Sequence, residues 1–152
     1  MGTAVLVLLA DVVSKHVVVA NLTDHAPVRV IPHVLTLTLT RNPGAAFGVG
    51  AGSTVLFTAV AAAVVVVIVR TARSLGSRGW AIALGLLLGG ALGNLADRLF
   101  RAPAPLRGRV VDWLELPHWP VFNLADAAIV SGGVLAVLLV LSGIELDGSR
   151  RP

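Results

Sequence analysis

Three aspartates, Asp97, Asp112 and Asp126, stand with Asn94, Arg98 and Asn123 in the stretch 89–126, beside segments apolar enough to lie in lipid. An ionisable side chain at membrane depth costs about 3 kcal/mol or more, so such groups are read first for function. Asp112 lies in Val110-Val111-Asp112-Trp113, where apolar neighbours dry the carboxyl and favour its protonated form. Asp126 closes Phe122-Asn123-Leu124-Ala125-Asp126. There Asn123 has the type and position of a helix N-cap, with Asp126 reaching back as in a capping box. A helix beginning there holds Asp126 only about 5–8 Å inside its end, within reach of a loop at the membrane surface. Two carboxylates brought together in such a place share a proton, because both cannot ionise. One can act as base on a water and the other as acid toward a leaving amine, the chemistry of paired aspartates in peptide hydrolysis.

Other chemistries find less support. The chain has no cysteine, which removes thiolates and disulfides. His16, His25, His33 and His118 lack a paired spacing such as H-x-x-x-H, so no metal site is expected. Ser14, Ser53, Ser74, Ser77, Ser131 and Ser142 have no nucleophile-elbow context. G-V-G-A-G at 48–52 follows no strand and is not a nucleotide-binding fingerprint.

The elements that hold these groups belong in a membrane. The 152 residues, expected to form a single domain, are 56% hydrophobic and only 13% charged, with a mean hydropathy of +0.88; a soluble domain is about a quarter charged. The net charge of +4 suits loops near anionic lipid better than nucleic-acid binding.

Residues 1–20 lack the basic start and cleavage site of a secretory leader and read as a first span. Asp11 and Lys15 within it share one face, acid first, either as a neutralised pair that eases insertion or with a direct role. Residues 28–40 switch to a period of two, Leu35, Leu37 and Leu39 alternating with Thr36, Thr38 and Thr40, which predicts a half-buried strand outside the bilayer. A turn is expected at 41–44. The spacing predicts further spans at 45–69, 80–98 and 121–144, with Trp80 as an interfacial anchor. Pro103, Pro105, Pro117 and Pro120 make 99–120 a loop. The fold class is therefore an all-α polytopic membrane protein of four transmembrane helices, with a small β element outside the bilayer in the loop 21–44 after the first. Asn94, Asp97 and Arg98 share a face of the third helix, where Arg98 is expected to keep Asp97 ionised as a structural anchor. Gly85, Gly89 and Gly93 form a ladder for close helix approach. Arg70, Arg73, Arg78, Arg150 and Arg151 on the termini side nearly balance Arg29, Arg41, Arg98, Arg101, Arg107 and Arg109 on the other, so charge leaves orientation open.

Taken together, the chain resembles the bacterial lipoprotein signal peptidases (signal peptidase II). The resemblance rests on D-x-x-S-K at 11–15, N-P-G-A-A-F-G at 42–48, G-G-A-L-G-N-L-A-D-R at 89–98, V-V-D-W at 110–113 and F-N-L-A-D at 122–126. It implies an intramembrane aspartic endopeptidase without metal or cofactor, with both termini in the cytoplasm and its active site at the outer leaflet of the inner membrane. The implied substrate is a diacylglyceryl prolipoprotein, cut before the lipidated cysteine, and the enzyme is expected to act as a monomer among membrane lipids, with no nucleic-acid partner. The catalytic pair falls on Asp112 and Asp126. Support or substrate binding falls on Asn42, Gly44, Asn94, Asp97, Arg98, Asn123, Asp11 and Lys15. The chain departs from the family's pattern in a first span that starts almost at once and a compact segment between Asp112 and Asp126. A transporter or channel using Asp11, Lys15, Asp97 and Asp126 as a relay would spread polar groups through membrane depth and show an internal repeat. Here they gather toward the ends of spans three and four without one. A non-catalytic scaffold packed through its glycines would leave Asp112 without a purpose.

Overall fold

The computed structural model describes residues 1–44, 54–72 and 75–150. Among these stand helix α1 (Gly2–Leu22), strands β1 (Val28–Ile31) and β2 (Leu35–Asn42), helices α2 (Thr54–Thr71) and α3 (Arg78–Phe100), strand β3 (Val110–Glu115) and helix α4 (Leu124–Leu141). The helices have 21, 18, 23 and 18 residues, long and apolar enough to cross a bilayer. Leu6, Leu56, Val67 and Leu141 are more than half exposed, as side chains facing lipid are. The chain is thus a four-helix membrane protein with a small antiparallel sheet.

Helix α3 packs against the other three. Its mean hydropathy, 1.6 against 1.9 to 2.4 for its neighbours, is low because small and polar residues face protein instead of lipid. Gly85 and Gly89 meet α1: a Cβ on Gly89 would stand 2.6 Å from Val7 Cβ and 2.7 Å from Ala4 O. Gly90, one residue off the ladder, does the same for α4 beside Ala125 and Ile129. Without a hydrophobic drive between helices in lipid, such close backbone approach supplies the packing.

The strand expected over 28–40 is a hairpin. β1 pairs antiparallel with β2, Val28 opposite Leu37, and the chain reverses where His33 takes a φ of 60°. The Leu/Thr alternation belongs to β2, which continues through Asn42 past the expected turn at Arg41. The expected loop 99–120 contains β3: its prolines exclude a helix but flank residues 110–115, leaving room for a strand. Thr40 lies opposite Asp112 and Asn42 opposite Val110. Between Leu37 and Thr40 the register slips by one residue, a bulge of the kind that re-aims side chains.

Connections set the sheet on the helices. Gly108 N donates to Arg98 O at 3.0 Å, and a Cβ there would run into the Asp97 carbonyl, so only glycine lets β3 begin this close to the end of α3. Leu114 pairs with Phe122 just before α4. Trp80, expected as an interfacial anchor, donates its indole N–H to Ile144 O at 2.8 Å and holds the segment after α4. Ser77 caps α3 and starts it at Arg78. The expected start of the second span at 45, Gly48, Gly52, Arg73 and Arg151 lie outside the described residues.

The glycine contacts predict unequal substitutions. Gly89→Val should lower the melting temperature in detergent and the folded yield, at a cost of about 3 kcal/mol. Gly133→Ala, where an added Cβ meets nothing within 4 Å, should be neutral or raise stability by about 0.5 kcal/mol. Equal melting temperatures for the two variants would contradict the packing described.

Candidate active site

Helix α4 begins with the capping box that its sequence predicts. Asn123 Oδ1 accepts from Asp126 N at 2.9 Å, and Asp126 Oδ2 accepts from Asn123 N at 3.2 Å. The box leaves Asp126 Oδ1 for another partner, and Asn94 Nδ2 on α3 donates to it at 2.8 Å. Capping therefore fixes the carboxylate without consuming it.

Asp112 arrives from the sheet. It is almost fully buried and takes a donor on each oxygen, Asn123 Nδ2 on Oδ1 at 2.6 Å and Asn42 Nδ2 on Oδ2 at 3.0 Å. Asn42 is held in turn, since its Oδ1 accepts from Gly44 N at 2.9 Å. Asn123, wholly buried, also lies 3.2 Å from Asn94 Oδ1 and 3.3 Å from Val111 O. One asparagine side chain thus joins the sheet aspartate to the helix aspartate.

Both carboxylates line one cavity of about 270 Å³, with Asn42, Gly44 and Arg98. The remaining wall is apolar, from Val110 and the segment Trp119, Pro120, Val121 and Phe122 to Ile129 and Val130 on α4. Trp119 and Val130 are exposed, so this wall continues onto the outer surface of the protein. Arg98 Nη2 donates to Gly44 O at 2.8 Å, and its guanidinium sits 5.9 Å from the centre of the Phe57 ring. Its other terminal nitrogen, Nη1, is buried with no partner among the described residues.

Asp97, Asp11 and Lys15 do not line the cavity; they form a buried ionic cluster behind Asn94. Lys15 Nζ lies 2.7 Å from Asp11 Oδ2 and 3.0 Å from Asp97 Oδ2, and donates to Asn94 Oδ1 at 3.0 Å. Asp11 and Lys15 are fully buried, so the pair is more than an aid to insertion. The expectation that Arg98 partners Asp97 needs correction. Neighbouring helix residues point about 100° apart, so Arg98 faces the cavity while Asp97 faces Lys15. The guanidinium that pairs with Asp97 is that of Arg101, one turn on. The signal for Arg101 was present as the acid-first i,i+4 spacing that identifies Asp11 and Lys15.

Asp126 is the third residue of α4, close to the start of its helix as its sequence predicts. Ala125 N at the start of α4 donates to Asp11 Oδ1 at 3.0 Å, and α1 continues to Leu22 beyond that contact, about 16 Å further. Two residues of α2 also escaped notice. Thr54 Oγ1 donates to Pro43 O at 2.6 Å, and the Thr58 hydroxyl lies 3.0 Å from Leu106 O. Both tie α2 to segments bordering the cavity, yet a threonine in an apolar helix carries no distinguishing pattern.

Signal peptidase (SPase) II is the family whose model matches residues 3–142. The chain belongs to the signal peptidase II family. Among curated relatives it is 55% identical over 148 residues to the lipoprotein signal peptidase of Streptomyces coelicolor, covering 97% of this chain and 72% of that one. It is 51% identical to that of Rhodococcus jostii, covering 95% and 73%. Two solved bacterial membrane enzyme structures share the fold. One, at 2.3 Å resolution, has a TM-score of 0.83 and 28% identity over 99% of this chain and 92% of that chain. The other, at 1.9 Å, has a TM-score of 0.79 and 30% identity over 91% and 90%. This signal peptidase II family member is therefore a multi-pass membrane peptidase.

The environment of Asp112 sets its proton affinity. Burial pushes its carboxyl up to about 6, the charge of Asp126 adds to the rise, and the donors Asn42 and Asn123 oppose it. The folded value exceeds the ordinary 3.8, so folding favours the protonated form. Taken alone, the group makes the fold less stable as pH rises from about 4 to about 6, with no further change above. Carbon-13 NMR of labelled aspartate in detergent should show one carboxyl titrating near 6 that is missing in Asp112→Asn. In Asn42→Leu it should titrate higher, because a donor to the ionised form is gone. A resonance titrating near 4 in both proteins would contradict this.

Proposed function

We propose that this protein is an aspartic endopeptidase of the signal peptidase II type. It removes the signal peptide from diacylglyceryl-modified prolipoproteins, cutting before the lipidated cysteine, with Asp112 and Asp126 as the catalytic pair. The observation that carries this reading is the pair itself: two carboxylates from different elements line one cavity, each with a hydrogen-bond donor on both oxygens. The lipoprotein signal peptidases among its relatives supply the substrate class. Family likeness supports both termini in the cytoplasm and the site toward the outer leaflet. The same likeness supports a monomer, and a single domain carries the residues of the site.

The chemistry follows from the proton balance. Asp112, the carboxyl raised to about 6, carries the shared proton and Asp126 is ionised. Asp126 takes a proton from a water whose oxygen bonds to the scissile carbonyl carbon, while Asp112 gives its proton to the carbonyl oxygen. When the carbon–nitrogen bond breaks, Asp126 passes its proton to the departing amine and Asp112 recovers one from the hydroxyl. Arg98, whose buried Nη1 has no partner among the described residues, donates to a substrate carbonyl oxygen and orients the chain. The apolar wall from Trp119 to Val130 receives the lipid-bearing end of the substrate.

Cleavage of a diacylglyceryl prolipoprotein by the purified protein, followed by gel shift, tests this. Asp112→Asn and Asp126→Asn should each lower kcat by about 10⁴-fold while the protein stays folded and still binds substrate, and the double variant should be no slower, because the pair acts as a unit. Cleavage by either single variant at the wild-type rate would sink the assignment. Arg98→Lys keeps the charge and loses the planar fork, so kcat/KM should fall about tenfold. An unchanged value would mean that charge alone matters there.

A further inference from the structure

Asp112 and Asp126 are held by side-chain amides, and an amide serves a carboxylate only if its NH2 end faces it. Each asparagine therefore needs something to decide which way it points. Asn42 is set by Gly44 N on its oxygen, and Asn123 by Asp126 N on its own. Among the described residues, no backbone N–H takes that role for Asn94. Its Oδ1 accepts from Lys15 Nζ at 3.0 Å and from Asn123 Nδ2 at 3.2 Å, and its Nδ2 donates to Asp126 Oδ1 at 2.8 Å. The contact from Asn123 is the weaker constraint, because the same nitrogen has Asp112 Oδ1 at 2.6 Å. An ammonium has three protons and no lone pair, so Lys15 can face only the oxygen end of Asn94.

We infer that Lys15 is a positioning residue for the reaction: its ammonium locks the Asn94 amide with the NH2 end on Asp126. The inference rests on the proposed aspartate pair and adds to it a group that reaches Asp126 only through Asn94. The charged groups around Lys15 are Asp11 on α1, Asp97, Arg98 and Arg101 on α3, Asp112 on β3 and Asp126 on α4. Asp11 and Asp97 are neutralised by Lys15, and Asp97 also by Arg101. Asp126 depends on the amide that Lys15 orients. Without the ammonium, the Asn94 amide is free to turn its oxygen toward Asp126, which disfavours the ionised carboxylate that takes the proton from water.

The test separates orientation from charge balance. Lys15→Met alone strands Asp11, so it is combined with Asp11→Asn, whose side-chain oxygen still accepts from Ala125 N. Asp11→Asn alone, which retains the ammonium, is the reference. The readout is the pH dependence of kcat/KM for a diacylglyceryl prolipoprotein in detergent, beside the melting temperature. The acid limb, which reports ionisation of the base, should move up by about one pH unit in the double variant relative to Asp11→Asn, the scale of one hydrogen bond to a carboxylate. Asn94→Leu, which keeps every charge, should move the limb by a similar amount. Adding it to the double variant should move it no further. An acid limb unmoved in the folded double variant would overturn the inference, and so would an unmoved limb in Asn94→Leu, which decides the matter if the double variant yields no folded protein. The aspartate pair itself is judged separately, by cleavage in Asp112→Asn and Asp126→Asn.

Discussion

The buried ammonium of Lys15 is the interaction on which the rest of the structure depends. Its two carboxylate partners each hold an element that carries a site aspartate. Asp11 accepts from Ala125 N, one residue before Asp126, and Asp97 accepts from Val111 N, one residue before Asp112. One positive charge among α1, α3, the sheet and α4 therefore sets where both carboxylates stand. Removing one member of such a buried pair costs about 3–5 kcal/mol, because the partner remains as an uncompensated charge. The arrangement is a poor way to gain stability, since desolvating these ions costs much of what their attraction returns. What it provides is a unique geometry in a bundle whose other contacts are small, smooth and apolar.

That geometry matters because glycine packing alone defines the helices loosely. Gly85 and Gly89 bring α1 close to α3, and Gly90 and Gly132 bring α4 close from the other side. Van der Waals contact of this kind is tolerant of sliding along the helix axis. Directional bonds from Lys15, Asn94 and Asn123 are not, and they converge where α3 ends and α4 begins. Packing thus brings the helices together, and the polar cluster fixes their register.

The site itself balances two opposing effects. Burial of Asp112 favours its protonated form, and the donors Asn42 and Asn123 favour the ionised one. Burial wins, which leaves the carboxyl protonated at mildly acidic pH while Asp126, capped at the start of α4, faces the same cavity. The two aspartates stand in different settings, one in a strand pressed against helix ends and the other in the first turn of a helix.

Much of this was legible in the sequence. Four apolar runs specified four helices, because length and hydropathy suffice where lipid is the solvent. The capping box at Asn123 and Asp126, the glycine ladder and the Asp11–Lys15 pair are local patterns, set by helical spacing, and they appear as read. Asp112 could be singled out by its apolar neighbours but not placed. Its strand, lying between prolines, is defined by pairing with β2 across a long stretch of chain, and no local period announces it. The partner of Asp97 was likewise a matter of which way α3 turns its faces: Arg98 adjoins it in sequence, but helix rotation sends Arg98 to the cavity and leaves Asp97 to Lys15 and Arg101. Spacing within one element fixes which residues share a face. Which face meets which element is decided only when the elements pack.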